Sequence, residues 1–230
     1  MLNFEPYDIY ERHKKIGRQI DKNDTVLDVG GQLDLLAKFC ESSKITVVNL
    51  KGSQEKSDIE IEQGKLPFKN NSHSVVCAID VLEHIKKKDR AAFIKELSRV
   101  ASKKIILSFP IVTRQHRTYE KEISDWLKKK GRDVTYLAEH ISFGLPTPEE
   151  VQDFVKNQKG EISYSGSLKI NRLLFKIYIF DLHGKIGKIV YFAKLIFNLF
   201  TNPLLYAILS GKGLSKNVVR AYLTIEKERS

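Results

Sequence analysis

The sequence is poor in cysteine and contains neither an internal repeat nor a low-complexity tract. Its two cysteines, Cys40 and Cys77, are too few for a disulfide scaffold and lack the close spacing of a zinc motif. Their scarcity favours a reducing, intracellular compartment. The first residues also lack the basic start and apolar stretch of a secretory signal. We therefore expect a cytoplasmic protein.

One sign of charge dominates the composition. Lys and Arg number 39 against 28 Asp and Glu, which gives a net charge of +11. This balance favours anionic partners, although a solvated lysine-rich surface accounts for it equally well. The triple-lysine runs at residues 86–88 and 128–130 have no interleaved aromatic residues, unlike nucleic-acid grooves. A nucleic-acid partner is therefore disfavoured, while an anionic membrane surface stays open.

Apolar periodicity predicts strands that alternate with helices along the 230 residues of the chain. Seven segments have the pattern of strands: residues 25–29, 44–50, 57–61, 74–79, 104–109, 161–170 and 218–225. Five have helical spacing, the last of them capped by Thr147: residues 7–20, 33–40, 89–100, 120–130 and a segment starting at Pro148. The alternation predicts a single α/β domain over residues 1–230. Its seven-stranded, mostly parallel sheet should carry helices on both faces and a ligand at the carboxyl ends of the strands.

A long apolar stretch, Ile186 to Leu209, precedes the last predicted strand. Lysines and the pair Asn202-Pro203 interrupt it, so we predict two helices inserted before that strand rather than a membrane span. The apolar surface of these helices needs a cover. The domain core, a second subunit of a homodimer and peripheral contact with an anionic membrane are the three alternatives.

Two segments place chemically distinctive residues at predicted strand ends. Residues 26–31 read Val-Leu-Asp-Val-Gly-Gly, and a glycine turn of this kind lets the backbone approach a ligand closely. Residues 66–85 combine Leu-Pro-Phe, an Asn-Asn-Ser turn, an apolar strand and the triplet Leu-Glu-His. With the helix and strand that follow, this pattern resembles the type 11 group of class I S-adenosylmethionine-dependent methyltransferases. The resemblance is clear over residues 7–110, and residues 137–146 are similar to a segment in a subset of the group.

The resemblance implies a Rossmann-like fold in which residues 1–110 bind the cofactor S-adenosylmethionine, released as S-adenosylhomocysteine, and residues 111–230 cover the substrate. It implies cofactor contacts at the ends of the first, second and fourth strands, from Asp28, Gly30, Gly31, Gln32, Asn49, Leu50, Glu62, Gln63, Asp80 and Val81. Asp28 would orient the glycine turn, Asn49 would hold the ribose, and Glu62 would accept a hydrogen bond from the adenine amine.

Three positions depart from the family pattern. Gln32 and Asp34 stand where the family continues its glycine-rich turn, and Asn49 replaces a carboxylate. A neutral amide bonds the ribose less strongly than a carboxylate does. An inactive cofactor-binding or scaffold relative is therefore one alternative to an enzyme.

Methyl transfer needs a positioned acceptor and, for an oxygen nucleophile, a base with a pKa near neutrality. His84, after the fourth strand, and His140, in the region that should cover the site, are the candidate catalytic residues. No spacing suggests a metal site. We expect methyl transfer to a small-molecule, lipid or glycan acceptor, with RNA methylation as a further alternative.

Overall fold

The computed structural model describes residues 5–42, 44–62, 64–132, 135–156, 158–179 and 184–227. In these ranges eight strands form one sheet: β1 (Thr25–Val29), β2 (Lys44–Leu50), β3 (Ile59–Ile61), β4 (His73–Ile79), β5 (Ala101–Pro110), β6 (Gly160–Ser165), β7 (Ser210–Lys212) and β8 (Arg220–Glu226). Their order across the sheet is β3-β2-β1-β4-β5-β8-β6-β7. Strands β1 to β5 pair in parallel, and the pairs made by β6, β7 and β8 are antiparallel. The predicted Rossmann-like class is confirmed, with eight strands instead of seven because β7 adds a three-residue edge.

Seven α-helices of the described residues accompany this sheet: α1 (Tyr7–Gly17), α2 (Arg90–Val100), α3 (Arg114–Lys129), α4 (Thr135–Phe143), α5 (Pro148–Val155), α6 (Leu168–Ile179) and α7 (Gly184–Leu209). Successive β1 side chains point to opposite faces of the sheet. Val26 packs in a cluster with Ile16 of α1, whereas Leu27 packs in a cluster with Leu97 of α2, and all four side chains are fully buried. Both faces are therefore covered, as predicted.

The segment after the first glycine turn differs from its prediction. Instead of a helix over residues 33–40, only a short 3-10 turn forms at Leu36–Lys38. Asp34 has φ 64, the left-handed conformation, and a right-handed helix cannot run through such a residue. No helix N-terminus therefore follows β1 directly. Phe39 instead packs against α1, where it contacts the rings of Tyr10 and His13.

The C-terminal half contains more helix than the sequence predicts. The strand predicted over residues 161–170 ends at Ser165, because Gly166 turns the chain at φ 86 and α6 begins two residues later. Helix α4 has no counterpart in the predicted elements. Helix α3 begins at Arg114, earlier than predicted, because the Thr113 side chain accepts a hydrogen bond from the His116 amide and caps it. The predicted cap of α5 is confirmed, since Thr147 Oγ1 accepts from the Glu150 amide at 3.1 Å.

The apolar stretch at residues 186–209 is one helix, so the predicted break at Asn202-Pro203 is wrong. Helix α7 continues through Pro203, which lacks the amide hydrogen of an ordinary helical turn. Contacts with the N-terminal segment hold the helix on both sides of this defect. The Asn202 side chain donates to the Glu5 carbonyl at 2.8 Å, and the Tyr7 hydroxyl donates to the Leu205 carbonyl at 3.2 Å.

Most of α7 is not covered by the domain core. By length and composition it is long and apolar enough to cross a membrane, and no other helix of the described ranges is. Its buried residues are Gly187, Asn202 and Leu209. Large apolar side chains remain exposed along the rest of the helix: Ile186, Ile189, Tyr191, Phe192, Ile196, Phe197, Phe200, Leu204 and Ile208. The domain core, one of the three predicted covers, therefore does not cover these residues.

Candidate active site

A cavity of 890 Å³ lies at the carboxyl ends of β1, β2 and β4. Its volume is within the range of about 300–1,000 Å³ that small-molecule sites occupy. Five of the predicted cofactor contacts line it: Gly30, Asn49, Leu50, Asp80 and Val81. The remaining lining is mainly apolar and includes Val29, Val48, Ile61, Leu66, Ile85 and Phe93. This space is called the cofactor cavity below.

The glycine turn after β1 is closely packed against two side chains. Gly30 has φ 78, and a Cβ atom there would lie 2.4 Å from Val81 Cγ2. At Gly31 a Cβ atom would lie 2.1 Å from the carboxylate oxygen Oδ2 of Asp28. Neither position can accept a side chain without moving its neighbours, so both glycines are needed for this backbone path.

Asp28 lies beneath that turn. Its side chain is fully buried, and neither carboxylate oxygen has a hydrogen-bond partner among the described residues. Burial raises its pKa from 3.8 to about 7. An acceptor without a donor is costly inside a protein. Neither Asp28 nor Gly31, two of the predicted cofactor contacts, lines the cofactor cavity, so the orphaned carboxyl acts on that cavity through the turn above it.

Asn49 stabilises the same turn from the side of β2. Its Nδ2 donates to the Gly31 carbonyl oxygen at 2.7 Å, and the side chain is buried. The family usually has a carboxylate at this position, and a carboxylate has no N–H group to donate this hydrogen bond. Asn49 therefore has a role in the turn itself, in addition to the ribose contact that the resemblance implies.

The other predicted cofactor contacts are less well placed. Gln32 is exposed and does not line the cavity. Glu62 also lies outside its lining, with 84% of its side chain exposed and one oxygen 3.7 Å from Lys51 Nζ. Gln63 lies outside the described residues. Asp34 replaces a family glycine yet keeps the left-handed conformation that glycine favours, which aspartate tolerates better than most residues.

A second cavity, of 390 Å³, lies on the other side of Asp80 and His84, which line both spaces. Helices α1, α3, α4, α6 and α7 enclose it together with the ends of β5 and β8. Its aromatic lining comprises Tyr7, Tyr119, Tyr136, Phe175, Tyr178 and Phe197, and its charged or imidazole lining includes Arg12, Glu83, His116, Glu120, His140 and Arg220. We call it the acceptor cavity.

Asp80, at the junction of the two cavities, is held by two arginines. Its Oδ2 lies 3.0 Å from Arg12 Nη1, and Arg220 donates to both of its carboxylate oxygens. Burial alone would raise the pKa of Asp80, but the two guanidinium charges outweigh it and hold the pKa below its ordinary value. Asp80 also has φ 56, a conformation that strains most residues and is found at functional sites. Neither arginine is predicted by the sequence pattern.

The two predicted catalytic histidines are brought together in the acceptor cavity. The ring centroids of His84 and His140 are 5.1 Å apart. His84 Nδ1 lies 2.6 Å from a Glu139 oxygen, and His140 Nδ1 lies 2.8 Å from a Glu120 oxygen. A carboxylate accepts only from an N–H, so each Nδ1 carries a proton, and this tautomer places the lone pair of a neutral ring at Nε2.

Glu83 is a site residue that the sequence analysis missed. It belongs to the Leu-Glu-His triplet, but only its neighbour His84 received a role. Its side chain is 1% exposed, and its Oε2 has no hydrogen-bond partner in the described part of the chain. Burial, and then the negative charge of Asp80, raise the pKa of this carboxyl well above its ordinary value. The only available signal was the placement of an acid directly beside a candidate catalytic histidine.

Arg90 connects the segments that carry these groups. It is fully buried, and its Nε donates to the carbonyls of Leu82 and Ile85 at 3.2 and 3.0 Å, on either side of Glu83 and His84. Its guanidinium also pairs with both Glu150 oxygens at 3.2 Å and donates to the Gly144 carbonyl just beyond α4. Arg90 is therefore a positioning residue for both histidines.

Comparison with known proteins supports the fold described above. Residues 29–109 match the family described as a methyltransferase domain, which confirms the resemblance found in the sequence. No curated protein matches the chain. Among solved structures, a SAM-dependent methyltransferase from Archaeoglobus fulgidus is 10% identical with a TM-score of 0.53, and the match covers 96% of this chain and 94% of that one.

Two further solved structures have similar folds. A possible histamine N-methyltransferase from Thermotoga maritima is 15% identical, with a TM-score of 0.53 and coverage of 96% of this chain and 91% of that one. Phosphoethanolamine N-methyltransferase 2 from Haemonchus contortus is 13% identical, with a TM-score of 0.51 and coverage of 96% and 52%. At these identities the likeness shows the fold alone. Beyond the fold, the comparisons give one family match, that of residues 29–109 to a methyltransferase domain.

Proposed function

We propose that this chain, whose residues 29–109 match a methyltransferase domain, methylates an amphiphilic small-molecule or lipid acceptor held in the acceptor cavity. One observation carries the proposal. The cofactor cavity and the acceptor cavity meet at Asp80 and His84, so ligands in the two spaces would face each other at one junction. The same arrangement argues for an enzyme and against a scaffold, because a scaffold has no need of a second enclosed space.

The lining of the cofactor cavity suits the chemistry of S-adenosylmethionine. The exposed residue Gly30 and the apolar lining from Val81 and Phe93 suit a nucleoside with a short amino-acid arm. S-adenosylmethionine supplies a methyl group that its sulfonium has already activated. The chain therefore has to bind, orient and exclude water, and correct placement of two reactants supplies most of such a rate.

The acceptor's reacting group belongs at the polar end of the acceptor cavity. Glu139 and Glu120 fix the orientation of His84 and His140, and both rings line that end. With Nδ1 protonated, His84 Nε2 can accept a proton from an acceptor hydroxyl or amine. The aromatic side chains of α3, α6 and α7 would surround the remainder of the acceptor, which favours a molecule with an apolar portion.

Helix α7 links this cavity to a membrane surface. Its Phe197 lines the cavity, while Phe192 and Phe200, on the same helix, are 62% and 73% exposed. Lys185 and Lys188 are exposed at its N-terminal end, and the whole chain carries a charge of +11. An apolar helix flanked by lysines binds in the interface of an anionic bilayer. We propose that the protein is cytoplasmic and attaches peripherally to the membrane, with the acceptor entering along α7.

Calorimetric titration tests the cofactor part of the proposal. The wild-type chain is expected to bind S-adenosylmethionine and S-adenosylhomocysteine at one site per chain. Gly31→Ala is expected to lose at least about tenfold in affinity, or about 1.4 kcal/mol, because its Cβ would overlap the Asp28 carboxylate. Gly213→Ala is the matched control, since a Cβ there meets nothing within 4 Å. No binding by the wild type, or equal affinities of the two variants, would refute the assigned pocket.

Vesicle co-sedimentation tests the membrane part. The chain is expected to sediment with vesicles of phosphatidylcholine and phosphatidylserine at low salt and to dissociate at high salt. The variant Phe192→Ser/Phe200→Ser should lose this binding and keep its circular dichroism spectrum. Ile141→Ser is the control, because Ile141 is 58% exposed and belongs to α4 rather than to α7. If the wild-type chain binds none of the vesicles and light scattering gives the mass of a dimer, a second subunit covers α7 instead of a membrane.

A further inference from the structure

Glu83, His84 and His140 meet at the polar end of the acceptor cavity, which all three line. One ligand-type atom from each lies within 4.8 Å of the corresponding atoms of the other two. In a tetrahedral site with bonds of about 2.1 Å, two ligand atoms lie about 3.4 Å apart. A small adjustment of side chains would therefore bring all three atoms to one ion. The sequence spacing does not suggest this set, because His140 follows the other two at a long distance in the chain.

Both histidines are already oriented for such a role. In metal sites the ligating histidine donates its second ring N–H to a carboxylate, which fixes the tautomer and strengthens the ligand. Here His84 Nδ1 is paired with Glu139 and His140 Nδ1 with Glu120, at 2.6 and 2.8 Å. The ligating atoms would be the two Nε2 atoms. The Nε2 atom of His140 is buried and has no hydrogen-bond partner within the described residues.

Glu83 offers the cluster a buried carboxyl oxygen, Oε2, that has no partner among the described residues. The two nearby guanidinium groups, Arg12 and Arg220, are both bound to Asp80. A buried carboxylate and a buried imidazole nitrogen without partners are each costly. A cation placed between them would satisfy both.

We propose that Glu83, His84 and His140 bind one divalent transition-metal ion. Two imidazoles and one carboxylate form the donor set of several zinc, iron(II), cobalt(II) and manganese(II) sites, whereas Mg²⁺ and Ca²⁺ prefer oxygen ligands. Three protein ligands leave at least one coordination position open. Because the ligands line the acceptor cavity, that position faces the acceptor.

The ion site determines which acceptors the cavity takes. This inference rests on the methyl-transfer proposal. An ion at this site would favour an acceptor whose hydroxyl, carboxylate or phosphate oxygen can bind the open coordination position. A bound cation lowers the pKa of such a hydroxyl. With the ion bound, His84 Nε2 would be a ligand, and activation of the acceptor hydroxyl by the ion would replace the general-base role proposed above for His84.

Metal titration of the full chain tests the site without reference to activity. The protein is stripped with EDTA, dialysed, and titrated with Zn²⁺ by calorimetry and with Co²⁺ by visible absorbance. We expect one equivalent of either ion to bind, and no stoichiometric binding of Mg²⁺ at the same concentration. Glu83→Gln keeps the shape of the side chain and should weaken binding at least about tenfold. His84→Ala, at a ring that is 31% exposed, should do the same with the fold intact by circular dichroism.

His73→Ala is the control, because His73 lies at the start of β4, outside the cluster, and its loss should leave the affinity unchanged. Two results would overturn the proposal. One is a folded wild-type chain that binds neither Zn²⁺ nor Co²⁺ at one equivalent. The other is binding that survives both Glu83→Gln and His84→Ala. Either result leaves the S-adenosylmethionine titration unaffected, so failure of the ion site is distinct from failure of the methyltransferase proposal.

Discussion

The cofactor cavity and the acceptor cavity meet at Asp80 and His84 but are built in different ways. The cofactor cavity is formed by short turns that follow parallel strands, and Gly30 and Val81 come within a few residues of β1 and β4. The acceptor cavity is enclosed by five helices and two strand ends from both halves of the chain. Its charged groups pair over long sequence distances, as Arg220 does with Asp80.

This difference explains why one half of the site has a recognisable sequence pattern. A glycine turn between a strand and a ligand is constrained by backbone geometry, so it leaves a local signature. A cavity between helices is constrained by packing and charge between distant residues, which leave no fixed spacing. The predictions below test how separate the two halves are, beginning with the residue that joins them.

Arg90→Met should have the largest effect, because it affects both cavities. The change leaves Glu150 buried without a partner and frees the carbonyls on both sides of Glu83 and His84. Breaking a buried pair from one side costs about 3–5 kcal/mol of unfolding free energy. Urea denaturation measures the loss, and titration with S-adenosylmethionine and Zn²⁺ should show both affinities reduced.

Arg99→Met serves as the control for Arg90. Arg99 lies on the same helix and pairs with Glu96 at 2.7 Å, but its side chain is 20% exposed. Its loss should therefore be smaller. The double variant Arg90→Met/Glu150→Met should recover part of the stability, since it removes the unpaired charge. Equal losses for Arg90→Met and Arg99→Met, or no recovery in the double variant, would contradict the role assigned to Arg90.

The sequence predicted the cofactor half more completely than the acceptor half for physical reasons. Val26 and Leu27 alternate between two buried faces, so β1 follows from apolar periodicity alone. The break at residue 34 depends on the conformation of one aspartate, which propensity does not register. Glu83 and Glu120 matter only because the fold places them beside the two histidines, and Pro203 is tolerated only because α1 and the preceding residues hold α7. Such contacts are set by tertiary structure.

Asp28→Asn should separate stability from cofactor binding within the cofactor half. Asp28 has a folded-state pKa of about 7 against an ordinary 3.8. The folded chain thus keeps a proton that the unfolded chain loses, and stability falls as pH rises from about 4 to 7. Asparagine removes this penalty, whose upper bound is about 4 kcal/mol at 1.36 kcal/mol per pH unit. We expect the variant to be more stable than the wild type at pH 8, by about 1–3 kcal/mol.

The difference between Asp28→Asn and the wild type should vanish near pH 4, where the folded wild-type carboxyl is protonated. Denaturant melts of the ligand-free proteins at the two pH values measure it. Calorimetry at pH 8 should show weaker S-adenosylmethionine binding by the variant, because the buried charge is lost. A variant that is less stable at pH 8, or that binds the cofactor as tightly as the wild type, would show that Asp28 is only a packing residue.

Asn49→Asp distinguishes the two roles of Asn49. If the ribose contact dominates, a carboxylate should keep or tighten cofactor binding, because an ionised acceptor bonds more strongly. The structure favours the other result, because Asn49 Nδ2 donates to the Gly31 carbonyl and a carboxylate there would face that oxygen without a hydrogen. We expect about a tenfold loss of S-adenosylmethionine affinity, or about 1.4 kcal/mol. Tighter binding in calorimetry would assign Asn49 to the ribose alone.

Asp34→Gly should have the smallest effect. It tests whether the turn after β1 needs an aspartate at the position where the family has a glycine. Asp34 is exposed and has φ 64, so glycine removes a left-handed strain while adding backbone entropy to the unfolded chain. These terms nearly cancel, and we expect a change of less than about 1 kcal/mol with unchanged cofactor affinity. Asp34→Ala keeps the strain without the tolerance of aspartate and should destabilise the chain by about 1 kcal/mol. If Asp34→Gly altered S-adenosylmethionine affinity more than Asn49→Asp did, the side chain of Asp34 would belong to the cofactor site, although it does not line the cavity.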